Sequence, residues 1–142
     1  MLKRISWSDY AMKLAETASL RSEDPYVQAG ACCIRHDNTI ASLGYNGTAP
    51  SIEIDWSDRD KRRPFVIHAE INCLNYVLPG EIKIIATTLM PCPSCITAIA
   101  AKKISRVLYK DIYETGKAFE VTQKIAEKFK IDLIKWKPNS TI

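Results

Sequence analysis

The chain has 142 residues, 46% of them apolar and 25% charged, proportions of an ordinary globular domain that exclude a collagen-like, coiled-coil or disordered protein. A net charge of +4 suits an anionic partner but is too mild to argue by itself for nucleic acid. Five cysteines, with no signal-like apolar run near the start, argue against a disulfide framework, and no stretch approaches the roughly 18 apolar residues of a membrane span.

In chain order, Tyr10, Ala11, Leu14, Ala15 and Ala18 recur at helical spacing, predicting a helix from Ser8 to about Arg21 with Ser6 or Ser8 as its N-cap. Val27–Arg35 is a compact apolar stretch. His36-Asp37-Asn38 follows as a turn, and residues 39–45 complete a β-hairpin. Residues 46–64 show no period and contain Gly47, Pro50, Asp55, Asp58 and Pro64; a long ordered loop of this kind is usually functional. A helix is expected over 68–78, stopped by Pro79-Gly80, then a buried strand over 81–89 and a helix over 93–103. A short strand over 106–110 precedes a helix over 114–129, with Ala118, Val121, Ile125, Ala126 and Phe129 on one face. A strand over 131–136 closes the series.

The last two strands are joined by an amphipathic helix and must therefore be parallel, with a right-handed crossover. The element order predicts an α/β fold: a three-layer α/β/α sandwich around a mixed five-stranded sheet, built as a single domain over 1–142.

Two segments carry chemistry, His68-Ala69-Glu70 and Pro91-Cys92-Pro93-Ser94-Cys95, each where the chain enters a helix. Pro93 fits the first helical turn, where a missing N–H is harmless. Two cysteines three apart at a helix start can face one metal, and the positive end of the helix dipole favours their thiolates. His68, Cys92 and Cys95 make three ligands, leaving a tetrahedral zinc one position for water, the layout of a catalytic site. No convincing fourth ligand exists: His36 lies in a turn, Cys73 on a helix, and Cys32 and Cys33 in a strand. Two thiolates neutralise the zinc, so its water can ionise near neutral pH. Glu70, two residues from the metal histidine, is placed to relay protons.

The H-x-E and P-C-x-x-C segments look like the zinc nucleobase-deaminase signature. The chain as a whole, from about residue 8 to 136, resembles the deoxycytidylate deaminase branch through residues 24–32, Gly44-Tyr45-Asn46-Gly47, residues 63–72 and residues 89–95. The resemblance implies hydrolysis of dCMP to dUMP and ammonia with one catalytic zinc ion per chain, dCTP remaining open as an additional substrate. It implies that Asn46 contacts a sugar hydroxyl, that the Ala69 backbone N–H meets the cytosine O2, and that Asn72 and Tyr113 bind substrate. It also implies a homo-oligomer, commonly a hexamer, with dCTP and dTTP as effectors. The lack of a signal-like or membrane-spanning run leads to the expectation of a cytoplasmic protein, in the host cytoplasm if viral. Residues 48–51 read Thr-Ala-Pro-Ser, without the glycine that often follows this proline in regulated members, and Cys73 stands where the family usually has alanine.

Arg59, Lys61, Arg62 and Arg63 precede His68, and one or two of them could hold the phosphate; a run of this kind is most often solvated surface. Trp7, Trp56 and Trp136 do not interleave with basic residues, so a stacking platform for single strands is unsupported. Two other readings stand beside the leading one. An editing deaminase acting on tRNA adenosine or another polynucleotide shares the zinc motif but generally needs a broader basic surface. A non-catalytic zinc module would have no need of Glu70.

Overall fold

A computed structural model describes residues 2–113 and 116–139. Ser6 opens the first helix: its hydroxyl accepts from the Asp9 N–H at 3.1 Å, and α1 runs Trp7–Ser19. Strands β1 (Gly30–Arg35) and β2 (Ile40–Tyr45) form an antiparallel hairpin whose turn places Asn38 at φ 69°, a left-handed conformation that Asn tolerates.

The stretch anticipated as a loop contains two short elements, α2 (Arg59–Arg62) and a 3-10 turn (Arg63–Phe65). Asp58 caps α2 by accepting from the Asp60 and Lys61 N–H groups. Next come α3 (Ala69–Leu74), β3 (Ile82–Leu89), α4 (Pro93–Ala101), β4 (Arg106–Asp111), α5 (Lys117–Lys128) and β5 (Asp132–Lys135). Helix α3 ends four residues before the expected Leu78. Helix α5 begins at Lys117, and residues 114 and 115 of its expected span lie outside the described residues.

The sheet order is β2-β1-β3-β4-β5, antiparallel from β2 to β3 and parallel from β3 to β5. The expected mixed five-stranded sheet is present, and its parallel part takes in β3 as well as the last two strands, because α4 crosses from β3 to β4 as α5 crosses from β4 to β5. Alternation along β1 sends Cys32 and Ile34 to one face, with Ala11, Met12 and Ala15 of α1. Ala31 and Cys33 go to the other, with residues of α3, α4 and α5. On α5 the inward residues are Thr122, Ile125 and Ala126, while Val121 and Phe129 are exposed. The stripe therefore sits slightly off the one that the apolar pattern marks.

Glycine at 44 permits a close approach that matters below. A Cβ there would lie 2.4 Å from the Ala69 carbonyl oxygen and 2.6 Å from the Cys73 nitrogen, so the bare backbone lets α3 press directly on β2.

Candidate metal centre and nucleotide cleft

His68 is the N-cap of α3 and Cys92 the N-cap of α4, both in extended backbone and neither using its side chain to cap. Cys95 follows one turn into α4 and is buried. His68 Nδ1 lies 3.2 Å from Cys95 Sγ and 3.5 Å from Cys92 Sγ, and the three donor atoms lie within 4.8 Å of one another. Among the described residues no other Cys, His or carboxylate joins this cluster. One imidazole and two sulfurs, converging from two helix starts, are a donor set suited to zinc.

The two sulfurs are unequal. Its hydrogen bond with Cys95 holds the Cys92 thiol down at about 3, against the opposing effect of partial burial, and His68 and Ser94, whose Oγ is 3.2 Å from Cys92 Sγ, reinforce it. The Cys95 thiol is driven up by the same hydrogen bond and by burial. A bound cation would favour the thiolate form of both sulfurs. Glu70, only 6% exposed, is pushed above the usual carboxylate range by desolvation, an effect that its hydrogen bond with Cys95 and the nearby His68 partly offset.

The other cysteines stay out of this chemistry. Burial pushes the Cys32 thiol up to about 12, and Cys33 and Cys73 pack against each other with their sulfurs 3.2 Å apart. His36 sits in the hairpin turn with Nε2 3.2 Å from the Gly80 carbonyl oxygen.

A cleft of about 210 Å³ opens beside the cluster, and His68, Ala69, Glu70 and Cys92 form one end of its wall. Asn46, Asp24, Arg59, Arg62 and Arg63 contribute elsewhere, and Tyr113, 55% exposed, also lines it. The two ends are tied by backbone: Gly47 and Ile67 exchange hydrogen bonds of 3.1 and 2.7 Å, which sets Asn46 beside the residue that leads into His68.

Asn46 is buried and deeply engaged. Its Oδ1 accepts from the Ala29 N–H at 2.8 Å, and its Nδ2 donates to the Val27 carbonyl at 2.9 Å and to Asp24 Oδ2 at 3.4 Å. Two residues expected at the substrate are not on the wall. Asn72 donates instead to the Tyr45 carbonyl at 2.8 Å, bracing α3 on β2, and Lys61 is exposed on α2 outside the cleft.

Sequence reasoning missed three contributors. Phe119 and Thr122, one turn apart on α5, line the cleft, and Thr122 Oγ1 donates to the Pro91 carbonyl at 3.1 Å, steadying the turn into Cys92. Asp24 is buried and accepts from the Tyr26 and Val27 N–H groups. The i, i+3 spacing of Phe119 and Thr122 was a usable signal; nothing in the neighbourhood of Asp24 announced its long-range role.

A zinc-suited donor set at helix starts, with a carboxylate beside it on a mixed α/β/α sandwich, defines a metal-dependent hydrolytic deaminase. Comparison narrows the class. Residues 5–111 match the family described as the cytidine and deoxycytidylate deaminase zinc-binding region, and the chain belongs to that family. It is 30% identical over 141 residues to a probable deoxycytidylate deaminase of Drosophila melanogaster, covering 87% of this chain and 68% of the relative. It is also 30% identical over 115 residues to the human deoxycytidylate deaminase, covering 74% of this chain and 65% of the relative. The chain thus spans about two thirds of the length of these relatives. The crystal structure of a cyanophage S-TIM5 dCMP deaminase in complex with dCMP and dUMP superposes with a TM-score of 0.74 at 26% identity, covering 90% of this chain and 95% of that one.

Proposed function

We propose that this protein hydrolyses dCMP to dUMP and ammonia. The observation that carries the reading is the placing of Glu70: buried at the first turn of α3, beside Cys95, on the wall of a cleft that Asn46 and three arginines also line. The phage relative whose structure holds dCMP and dUMP matches this chain over nearly its whole length, and the curated relatives carry the same activity in their names.

His68, Cys92 and Cys95 hold the zinc, which when bound supplies a water acidic enough to act as a nucleophile near neutral pH. Glu70 would take the proton that the nucleophilic water gives up and pass it to ring N3 of the pyrimidine. It then carries a second proton from the new hydroxyl to the departing amino group, which leaves as ammonia. A carboxyl raised by burial suits this work, since it must hold a proton and surrender it within one turnover. The Ala69 N–H sits in the first turn of α3, where it has no intrahelical acceptor, and is available to the pyrimidine O2. Asn46 Oδ1 retains a second lone pair for a sugar hydroxyl. Tyr113 flanks the substrate from the exposed rim.

The same reading places the enzyme in cytoplasmic pyrimidine nucleotide metabolism as a homo-oligomer, a hexamer by resemblance, with dCTP and dTTP as effectors. Its support is the family relationship.

Ammonia release from dCMP, dCTP, CMP, deoxycytidine and a tRNA anticodon stem tests the proposal. Turnover is expected with dCMP, and Glu70→Ala is expected to abolish it while zinc, measured by mass spectrometry, stays bound. Turnover of the polynucleotide alone overturns the substrate, and a Glu70→Ala variant that keeps most of its rate overturns the proton relay.

A further inference from the structure

Four cations stand in the segment before His68, and one of them is built differently from the rest. Arg62 is 9% exposed, whereas Arg59, Lys61 and Arg63 are exposed. Its guanidinium is fixed on two sides: Nη1 donates to Asp24 Oδ2 at 2.7 Å, and the group lies 4.5 Å from the centroid of the Tyr26 ring. Asp24 in turn reaches Asn46 Nδ2, so Asn46, Asp24 and Arg62 form one connected wall of the cleft.

Arg62 Nε is buried and has no hydrogen-bond partner. A charged group left with an unanswered donor costs folding free energy, and such an atom in a binding cleft points to a partner that arrives with the ligand. The Asp24 contact engages Nη1, which leaves the Nε–Nη2 edge uncommitted to that carboxylate. That edge is the side-on fork that grips a phosphate with two parallel charge-assisted bonds. A lysine cannot reproduce it, because its ammonium is a point charge without a planar edge.

We propose that Arg62, set by Asp24 and Tyr26, is the residue that reads the 5′-phosphate of the substrate and so makes the site select a nucleotide over a nucleoside. The inference rests on the deaminase reading above and deepens it. Asp24 is a positioning residue: it aims the guanidinium, and its charge also offsets the cost of burying that cation before substrate arrives.

The test compares kcat/KM for dCMP with that for deoxycytidine, which lacks the phosphate, in the zinc-loaded enzyme. Arg62→Lys keeps a cation opposite Asp24, and the double variant Asp24→Asn/Arg62→Gln removes both charges together, so neither leaves a buried charge stranded. In each, the dCMP-to-deoxycytidine ratio is expected to fall roughly 10- to 100-fold, the span of one charge-assisted hydrogen-bonded contact. Lys13→Ala, exposed on α1 and away from the cleft, serves as the control.

Equal loss on both substrates means that Arg62 is only structural and overturns the proposal. Loss that tracks the sugar, seen as altered discrimination between dCMP and its 3′-deoxy analogue at constant phosphate selectivity, overturns it too. A wild-type enzyme that turns over deoxycytidine as well as dCMP instead defeats the dCMP reading itself, and a wild type that selects dCMP beside an unchanged Arg62→Lys ratio defeats only the role of Arg62.

Discussion

The two ends of the cleft are held by different physics. At the metal end, three donor atoms come from two helix starts that are pinned to the sheet by packing: α3 presses on the bare backbone of Gly44, and α4 follows β3 through a turn that Thr122 holds. At the nucleotide end, the determinants are a buried ion pair and an amide, Asp24–Arg62 and Asn46, drawn from two loops and the short helix α2 and joined to one another by polar contacts. The first end depends on how closely backbones approach, the second on whether every charge has its counterpart. A perturbation at one should therefore leave a signature that the other does not share.

The largest separation is expected from Asp24→Asn. It leaves the Arg62 guanidinium buried without its carboxylate, a situation that costs about 3–5 kcal/mol. Urea denaturation should show the loss of stability, while zinc content, read by mass spectrometry on the folded protein, should hold. Zinc loss in step with stability would mean that the two ends are one cooperative unit. Gly44→Ala reverses the pattern. The added methyl meets the Ala69 carbonyl and the Cys73 nitrogen, overpacking costs about 1–3 kcal/mol, and because His68 caps the displaced helix, competition with a chelator should reveal weakened zinc binding. Thr122→Val is the mildest. It removes one hydrogen bond to the Pro91 carbonyl, about 1 kcal/mol, and should lower the chelator concentration needed for half-removal of zinc with little change in global stability.

The same contrast explains what could be read from the chain. The metal end was legible because its chemistry is local: His68 and Glu70 stand two apart, Cys92 and Cys95 three apart, and both segments announce a helix start through their neighbours. The mixed sheet followed equally directly from a hairpin succeeded by helical crossovers. The nucleotide end was not legible in this way. Asp24 and Arg62 lie 38 residues apart, and nothing near either names the other. Arg62 looked like its cationic neighbours, because exposure, the property that separates them, is decided by how a four-residue helix turns against the rest of the fold. The contact of Asn72 was hidden for a complementary reason: a polar residue one turn after His68 can face the cleft or the sheet edge, and its hydrogen bond to the Tyr45 carbonyl, 27 residues away, has no local signal. The short helix itself hid within a segment whose prolines and aspartates read as loop, although Asp58 was in fact its cap.

The pair of backbone hydrogen bonds between Gly47 and Ile67 has a consequence for how such an enzyme can diversify. They cinch the excursion between them at its neck, so residues 48–66 form a closed detour whose two ends are already side by side. Provided that a cation still answers Asp24, a detour of that kind can be lengthened, shortened or exchanged for another without moving Asn46 on one side or His68 on the other. The reaction and the choice of molecule are thereby carried on separable stretches of one chain, and grafting a foreign segment across this neck should redirect selectivity while the metal stays where it is.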